Sequence, residues 1–325
     1  MTKAMNRRGF LRLLGAAGAS ALSACGLGSA GGFTRSGKLT VPGLAPDALA
    51  GASIKVGSKV HNESVILGKI AVSLFSSAGA HVQDLTSIPG STTVRAALMA
   101  GDVVFSFDYI GTGWITYLGH DDPIPDVRKQ YEALRDEDTN NGVSWLEPSA
   151  VNNTYSFAVT GETAKKHGLE NLSDMGKLPP DQQVFCVDAE FAGRNDGFEP
   201  MLRAYGLQNA QGDRRRLMDV GAIYAATAGG QCTFGEVYTT DGRIQALGLK
   251  VLADDRGFFP KYNLSAMTRT AIVERYPALR RLAHEVGSRL DNTKMMQLNA
   301  RVDVDGEDPG TVAYDWLKAK GLIGT

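Results

Sequence analysis

Aromatic and hydrogen-bonding side chains recur in this sequence where short apolar segments end. Tyr238 closes such a segment, and His61 and Tyr109 each stand just beyond another. In open α/β sheets, ligands bind beside the loops that follow the carboxyl ends of the strands. Simple turns favour Gly, Asn and Ser, so aromatic residues in these loops indicate a binding surface. The polar and aromatic residues on the predicted loops are His61, Thr92, Thr93, Asp108, Tyr109, Arg194, Asp196, Phe198, Tyr224, Tyr238 and Asp241.

Each of these residues also has a structural interpretation. Tyr and Phe are most often core residues in an apolar α/β protein. Thr92 and Thr93 stand where they would cap a helix, and His61 precedes a predicted helix at Asn62. Asp108 is placed to bond to its neighbouring loop. The spacing of Arg194 with Asp196, and of Asp241 with Arg243, favours pairs that brace their own loops.

Catalytic and metal-binding patterns are missing from the sequence. It contains no GxSxG elbow, no HExxH and no CxxC. Its five histidines are scattered, without metal-ligand spacing. Asp303, Asp305 and Asp308 lack the later Glu of a calcium loop. We therefore expect a protein that is not an enzyme and needs no cofactor or metal. An enzyme would require a His within hydrogen-bonding distance of a cleft Ser or Cys.

Short apolar strands alternate with helical stretches from residue 53 onward, which predicts an α/β fold with mostly parallel sheets. Two such runs and a helical tail suggest two lobes with a cleft between them. The predicted strands are Ser53–Ser58, His81–Thr86, Val103–Ser106, Tyr155–Val159, Val184–Asp188, Leu217–Met218 and Thr233–Tyr238. The predicted helices are Asn62–Ser77, one opening at Gly90, Asp126–Arg135, Gly197–Tyr205, Ala222–Ala228, Pro277–Leu290, Asn292–Val302 and Pro309–Lys320.

The N-terminal stretch has the composition of an export signal. Basic residues precede a short apolar run that is diluted with Ala and Gly, and the run ends in Leu22-Ser23-Ala24-Cys25. The pair Arg7-Arg8 is typical of a twin-arginine signal. The tetrapeptide resembles a lipobox, which predicts a signal peptide over residues 1–24 and a lipid on Cys25. The alternative is an ordinary cleaved signal with a chance Cys. Residues 25–51, rich in Gly, Ser and Ala, are predicted to be a flexible tether.

Composition limits the remaining possibilities. The formal net charge of −1 implies no nucleic-acid partner. The mature chain is long enough for two compact lobes. After Cys25 only Cys186 and Cys232 remain, so a disulfide scaffold is excluded. In an exported protein these two cysteines either form one bridge or are two buried apolar residues.

Several strings, in a fixed order, resemble the glycine betaine/carnitine/choline-binding proteins of osmoprotectant ABC importers. The resemblance covers essentially the whole chain after residue 52. The matching strings are GSKVHNESVILGKI (57–70), FDYIGTGW (107–114), WLEPSAVNNTYSFAV (145–159), EFAGRNDGFEPMLRAYGL (190–207), MDVGAIYAA (218–226), YTTDGRI (238–244), DDRGFFPKYNLSAMTR (254–269) and WLKAKGLI (316–323).

The resemblance implies a two-lobed periplasmic-binding-protein fold of class II and a receptor role. The chain would cross between lobes near Asn153–Tyr155 and Tyr262–Leu264. Residues 52–153 and 264–325 would then form lobe 1, and residues 154–263 lobe 2. The protein would be a monomer, held by its lipid at the extracytoplasmic face of the cell membrane. Its partners would be a small solute and an ABC permease with a cytoplasmic ATPase.

The resemblance also implies a cage of aromatic rings around a quaternary ammonium head, as in glycine betaine, choline or carnitine. Tyr109 and Tyr224 match cage tyrosines of the family, Phe198 stands where a third aromatic is usual, and Tyr238 is a further candidate. The polar end of the solute would meet donors at Thr92, Thr93 and Thr154, and a contact from Asp108 is a weaker expectation. His61 replaces the usual aromatic, and Ser64 replaces the usual Gln. These departures suggest an alternative ligand: a less methylated amine, a polar osmolyte or a planar aromatic compound.

Overall fold

The structure is a computed structural model that describes residues 34–207 and 214–325. The strands are β1 Lys38–Leu39, β2 Ser53–Lys59, β3 His81–Ile88, β4 Phe105–Tyr109, β5 Val143–Trp145, β6 Tyr155–Thr160, β7 Phe185–Val187, β8 Arg215–Leu217, β9 Phe234–Tyr238, β10 Leu249–Val251, β11 Leu264–Arg269 and β12 Ile323–Gly324. The helices are α1 Asn62–Ser77, α2 Ser91–Ala100, α3 Ile110–Thr112, α4 Val127–Thr139, α5 Gly161–His167, α6 Ala189–Gly193, α7 Phe198–Ala204, α8 Val220–Ala228, α9 Arg243–Ala246, α10 Thr270–Arg275, α11 Ala278–Gly287, α12 Asn292–Asp303 and α13 Pro309–Ala319.

Lobe 1 is built on a five-stranded sheet of order β3-β2-β4-β11-β5. Its first three strands are parallel, while β11 lies antiparallel to both β4 and β5. Helix α1 crosses this sheet and is buried along almost its whole length, because α11, α12 and α13 cover its outer side. Val65, Ile66, Ile70 and Leu74 supply its apolar stripe, and polar residues of its other faces are buried as well. The one cation inside it, Lys69, pairs with Asp84 of β3 at 2.5 Å.

Lobe 2 is built on the sheet β10-β6-β9-β7-β8. Strand β7 runs parallel to β8 and β9, whereas β6 runs antiparallel to β9 and β10. Phenylalanines 157, 185 and 198 pack together in its core, with ring centroids 5.2–6.3 Å apart. A disulfide joins Cys186 of β7 to Cys232, just before β9. Of the two possibilities for these cysteines, the structure has the bridge.

Two adjacent segments connect the lobes. One runs from β5 to β6 and the other from β10 to β11. They touch at an antiparallel bridge between Asn152 and Asn263, and the amide of Asn153 donates to the carbonyl of Tyr262 at 3.2 Å. Two connections that lie side by side have the arrangement of a hinge between two lobes.

The two-lobed α/β architecture predicted from the sequence is confirmed, although each sheet is mixed where mostly parallel strands were predicted. The antiparallel neighbours arise because the chain leaves lobe 1, completes lobe 2 and returns as β11. Strands β5, β10 and β11 were not predicted, and the strand predicted at Val103–Ser106 lies at Phe105–Tyr109.

The segment before β2 differs from its prediction. Residues 25–51 were predicted to be a flexible tether, yet from residue 34 onward the chain packs on lobe 1. Leu39, Val41 and Leu49 are buried there, and β1 pairs with β12 at the C-terminus. The prediction failed because an Ala/Gly/Pro-rich composition conceals three well-spaced apolar anchors. The signal peptide and Cys25 lie outside the described residues. Within residues 34–207 and 214–325, no helix has the length and apolar character needed to cross a membrane.

Candidate functional site

A cleft of about 940 Å³ lies between the two lobes. Lobe 1 borders it with the loop after β2, the start of α2 and residues 115–119. Lobe 2 borders it with α6 and the loops that precede α8 and follow β9. This is the edge where the carboxyl ends of the strands meet, as expected for α/β sheets. The lining residues include Lys59, Val60, His61, Pro89, Gly90, Ser91, Thr92, Ile115, Thr116, Asp188, Glu190, Arg194, Met218, Asp219, Val220, Tyr238 and Arg243.

An irregularity at the end of β2 directs its last residues into the cleft. The pairing of β2 with β3 shifts register between Gly57 and Lys59. Opposite this shift, Ser87 has a φ of +73°, a left-handed conformation that is uncommon outside glycine. The hydroxyl of Ser58 accepts a hydrogen bond from the Ser87 amide at 3.0 Å, which holds the distorted segment in place. The distortion precedes the chain segment that carries Lys59 and His61 to the cleft wall.

His61 lies between two tyrosine rings that come from different lobes. Its ring centroid is 5.3 Å from that of Tyr238 and 6.4 Å from that of Tyr109, with 23° between the planes in both cases. Burial and the positive charge of Lys59 lower the pKa of His61 to about 3, with Asp108 opposing them. The imidazole is therefore neutral at physiological pH, and it does not repel a cation.

The aromatic wall continues behind His61. The ring of Tyr155 lies 5.2 Å from that of Tyr238 and 5.4 Å from that of Tyr262. A small cavity of about 20 Å³ opens at this point between the same rings. We call His61, Tyr109, Tyr155, Tyr238 and Tyr262 the aromatic wall. Of these five residues, His61 and Tyr238 line the cleft, and all five line the small cavity at its inner end. The wall draws residues from both lobes and from the second connection.

The cations of the site are each paired with an internal acid. Lys59 Nζ lies 2.8 Å from Asp108 and 4.7 Å from the centre of the Tyr109 ring. Arg194 bonds to Asp196 through two nitrogens, at 2.7 and 2.9 Å. Arg243 bonds to Asp241 in the same two-pronged way. The predicted bracing pairs Arg194–Asp196 and Asp241–Arg243 are thus confirmed. Arg194 also reaches into the aromatic wall, because its guanidinium donates to the hydroxyl of Tyr262 at 3.2 Å.

Two carboxylates of lobe 2 border the cleft. Asp188 caps α6 and accepts from the hydroxyl of Tyr238 at 3.0 Å, and burial raises its pKa. Glu190 accepts from the hydroxyl of Ser91 across the cleft at 2.5 Å. Although burial opposes it, Lys59 and Ser91 lower the pKa of Glu190. The Ser91–Glu190 bond joins α2 of lobe 1 to α6 of lobe 2, so the lobes already touch across the cleft.

Eight of the ten predicted contacts fall into three groups. His61, Thr92 and Tyr238 line the cleft, and Tyr109 lines the small cavity behind it. Ser64 and Asp108 lie behind the wall: the hydroxyl of Ser64 is 2.9 Å from Nε2 of His61, and Asp108 holds Lys59. Thr93 is exposed beside the cleft, and the hydroxyl of Thr154 donates to the carbonyl of Tyr155.

Tyr224 and Phe198 lie away from the cleft wall. Tyr224 belongs to α8 and is fully buried; its hydroxyl accepts from the amide of Tyr238 at 3.0 Å, and Arg243 covers its ring. Phe198 packs in the core of lobe 2 at 5.2 Å from Phe185. Sequence reasoning placed both at the site because they follow strand ends, but it cannot show which face of a following helix turns toward the sheet.

Other site residues were not predicted. Lys59, Asp188 and Glu190 border the cleft, and Tyr155 and Tyr262 complete the aromatic wall. Four of them lie in strings that carried the family resemblance, and Asp188 ends a predicted strand. Their places in these strings, or at the end of a predicted strand, were the only signs in the sequence that they belong to the site, since their partners are distant in sequence.

The enzyme hypothesis required a His close to a cleft Ser or Cys, and His61 with Ser64 meets the distance. Ser64 is nevertheless only 1% exposed and lies beneath the imidazole, so its hydroxyl does not face the cleft. The arrangement therefore fixes the His61 ring and does not present a nucleophile to a solute.

Comparison with known proteins agrees with this geometry. The family described as the substrate-binding domain of the ABC-type glycine betaine transport system matches residues 52–319. A glycine-betaine-binding protein of Pseudomonas aeruginosa is 36% identical over 88% of this chain and 94% of its own length. The ergothioneine transport permease/ergothioneine binding protein EgtU of Helicobacter pylori is 30% identical over 82% of this chain and 47% of its own length.

A solved structure supports the same assignment. The crystal structure of a glycine betaine/carnitine/choline ABC transporter protein superposes with a TM-score of 0.68 at 30% sequence identity, covering 82% of this chain and 98% of the other. The fold, the position of the cleft and the sequence match lead to one conclusion. The chain belongs to the family of substrate-binding domains of ABC-type glycine betaine transport systems.

Proposed function

We propose that this protein is the extracytoplasmic solute receptor of an ABC importer, and that it binds a small quaternary ammonium solute between its lobes. The observation that carries the proposal is the aromatic wall at the inner end of the cleft. Its members approach from both lobes, and the neutral ring of His61 lies between Tyr109 and Tyr238. Glycine betaine, choline and carnitine are the solutes that fit this description best.

A trimethylammonium group suits such a wall for a physical reason. It carries a positive charge but has no N–H to donate, so hydrogen-bond acceptors cannot hold it. Ring faces hold it through cation–π attraction and apolar contact with its methyl groups. Desolvated contacts of this kind contribute up to about 2 kcal/mol each. The neutral imidazole of His61 adds apolar surface without adding charge.

The polar end of the solute would face the donors of lobe 1. Gly90 precedes α2 with a φ of +79°, and it lines the cleft together with Ser91 and Thr92. The amides of Ser91 and Thr92 and the hydroxyl of Thr92 are placed to meet a carboxylate or hydroxyl group. The hydroxyl of Ser91 is already bonded to Glu190. Lys59 also lines the cleft, with its charge paired to Asp108. The predicted contacts from Thr93, Thr154 and Asp108 would be secondary.

The receptor role implies the location and partners of the protein. Substrate-binding proteins of ABC importers are extracytoplasmic, and the Cys186–Cys232 disulfide suits an oxidising compartment. We propose that a lipid on Cys25 holds the chain at the membrane, where it acts as a monomer with a permease and its ATPase. Labelling of cells with a fatty-acid probe tests the anchor. The wild-type protein should carry the label and the Cys25→Ser variant should not.

The alternative ligand remains a different small polar or aromatic solute. Two observations favour it: the cleft is wide, at about 940 Å³, and it is bordered by Asp188 and Glu190. A relative in Helicobacter pylori is named for ergothioneine. Mass spectrometry of the solute that copurifies with the protein distinguishes the two proposals.

Calorimetric titration tests the favoured ligand class. The protein is first freed of bound solute by unfolding and refolding, and it is then titrated with glycine betaine, choline and carnitine. We expect one-to-one binding of at least one of them. Absence of binding to all three at millimolar concentration would eliminate this ligand class.

A further inference from the structure

A single buried carboxylate links the parts of the chain that form the aromatic wall. Glu63 is the second residue of α1 and is 3% exposed. Its Oε1 accepts from the hydroxyl of Tyr109 at 2.5 Å and from Nδ2 of Asn153 at 3.0 Å. Its Oε2 accepts from the hydroxyl of Thr240 at 2.5 Å and from Nδ2 of Asn299 at 2.8 Å. Four neutral donors therefore converge on one side chain.

The four donors come from separate parts of the fold. Tyr109 ends β4 of lobe 1, and Asn153 lies on the first connection. Thr240 follows β9 of lobe 2, two residues after Tyr238, and Asn299 belongs to α12. The donors also bond to one another, since Asn299 donates to the carbonyl of Thr240 at 2.9 Å and Asn153 accepts from the Thr240 amide at 3.3 Å. The network closes on itself around Glu63.

Glu63 itself does not border the cleft. It reaches a ligand only through its partners. In lobe 1 it holds the hydroxyl of Tyr109, whose pKa is raised well above its usual value by burial and by Glu63, so that this hydroxyl remains a donor. In lobe 2 it holds Thr240, which sets the path of the chain just after Tyr238. Hydrogen bonds to a carboxylate are roughly twice as strong as those between neutral groups.

We propose that Glu63 is a positioning residue for ligand binding: its carboxylate holds Tyr109 of lobe 1 and the Tyr238–Thr240 segment of lobe 2 in the one relative arrangement in which both rings face His61. The proposal rests on the proposed function, because the ligand is what the rings would hold. The hydrogen bonds around Glu63 are nevertheless formed among residues of the protein itself, where the two lobes meet, so they can be tested without a ligand.

The Glu63→Gln variant tests the proposal with little change in size. One carboxylate oxygen becomes an NH₂ group, which faces two donors instead of accepting from them. We expect the Kd for the quaternary ammonium solute to rise about tenfold or more, which is about 1.4 kcal/mol or more, while the calorimetric stoichiometry stays near one. In the Tyr109→Phe background, where one donor is absent, the same substitution should weaken binding less.

A matched control separates positioning from general stability. Glu285 of α11 is also buried, at 5% exposed, and it pairs with Arg281 and Arg289 outside the cleft. Glu285→Gln should lower the melting temperature and leave the Kd unchanged. If Glu63→Gln fails to fold, Thr240→Val removes one donor and should give a smaller loss of affinity. Wild-type affinity in Glu63→Gln, or equal losses in the two Gln variants, would overturn the proposal.

Hydrogen exchange of the ligand-free protein keeps this test independent of the ligand. In Glu63→Gln we expect faster exchange at the Thr240 amide, which bonds to Asn153. The exchange rates of the backbone amides around Glu285 should not change. If the wild type binds none of the three solutes, the proposed ligand class fails. The exchange rate of the Thr240 amide in Glu63→Gln then still shows whether Glu63 holds the Tyr238–Thr240 segment in place. Unchanged exchange at Thr240 would contradict it.

Discussion

The imidazole of His61 lies 5.3 Å from the ring of Tyr238, with 23° between their planes, although the two residues belong to different lobes. His61 precedes the first helix of lobe 1, and Tyr238 ends a strand of lobe 2. Their stacking depends on how the lobes sit relative to each other. A solute held against both rings would therefore favour this arrangement over one with the lobes apart.

Removal of the Tyr238 ring should weaken binding more than removal of its hydroxyl. Tyr238→Leu deletes one cation–π contact, worth about 0.5–2 kcal/mol, so we expect the Kd to rise about 2- to 30-fold. Tyr238→Phe keeps the ring and loses only the bond to Asp188, and it should bind nearly as well as the wild type. Calorimetric titration of both variants measures the difference. Equal losses in the two would show that the hydroxyl, with its bond to Asp188, matters for binding and that the ring face does not.

Acid should destabilise the fold through His61. The pKa of His61 is about 3 in the folded protein and 6.5 for an unperturbed histidine. Between these values the unfolded chain binds a proton that the folded protein does not, so stability falls as pH falls from 6.5 toward 3. A tenfold change in proton affinity corresponds to about 1.4 kcal/mol, so the full effect on the free energy of unfolding amounts to a few kcal/mol.

The His61→Phe variant isolates this effect in chemical denaturation at a series of pH values. It should lose less stability than the wild type between pH 6.5 and 3. A comparison between variants is needed because Asp303 acts in the opposite direction: burial and Asp241 raise its pKa to about 6. Its contribution therefore favours the fold as pH falls. Identical pH profiles for wild type and variant would mean that His61 is protonated as readily in the folded protein as in the unfolded chain.

Phe198 and Tyr224 should matter for stability and little for affinity. Phe198 is fully buried in the core of lobe 2, and Phe198→Ala should cost about 3–5 kcal/mol in the free energy of unfolding. The molecules that remain folded should bind with a nearly unchanged Kd. Denaturation and calorimetry on the same sample separate the two quantities. A large loss of affinity at full stoichiometry and unchanged stability would place Phe198 in the ligand cage after all.

The disulfide should stabilise lobe 2 without touching the ligand. It joins two cysteines 46 residues apart in sequence, and bridges closing loops of that size typically contribute about 2–4 kcal/mol. The double variant Cys186→Ala/Cys232→Ala should therefore melt at a lower temperature and keep the wild-type Kd. Added reductant should lower the melting temperature of the wild type but not of the variant. An equal effect of reductant on both proteins would argue against the bridge.

Helix α1 was fully predictable from sequence, whereas several strands were not. Helix α1 has the bounds predicted, Asn62–Ser77, because Val65, Ile66, Ile70 and Leu74 recur at helical spacing. Strands β5 and β10 have three residues each, too few to display an alternating pattern. Antiparallel β11 escaped prediction because its pairing with β4 depends on a return from the other lobe, and local sequence contains no record of that path.

The candidate site was likewise predictable only in part. His61, Thr92, Tyr109 and Tyr238 were predicted because each follows the end of a strand, and all four border the cleft or its inner cavity. The orientation of Tyr224 depends on which face of α8 meets the sheet. The role of Glu63 depends on Thr240 and Asn299, which lie 177 and 236 residues away in sequence. Such convergence is a property of the tertiary structure alone.

The most direct test of a cation-binding aromatic wall compares a quaternary ammonium solute with its neutral tert-butyl analogue, in which carbon replaces the charged nitrogen. Shape and apolar area are retained, so any difference in Kd reports the attraction between charge and ring faces. Calorimetric titration of the solute-free protein should give one-to-one binding of glycine betaine, choline or carnitine, with the matching analogue at least about tenfold weaker. Equal affinity for solute and analogue, or no binding of any of the three solutes, would contradict such a wall.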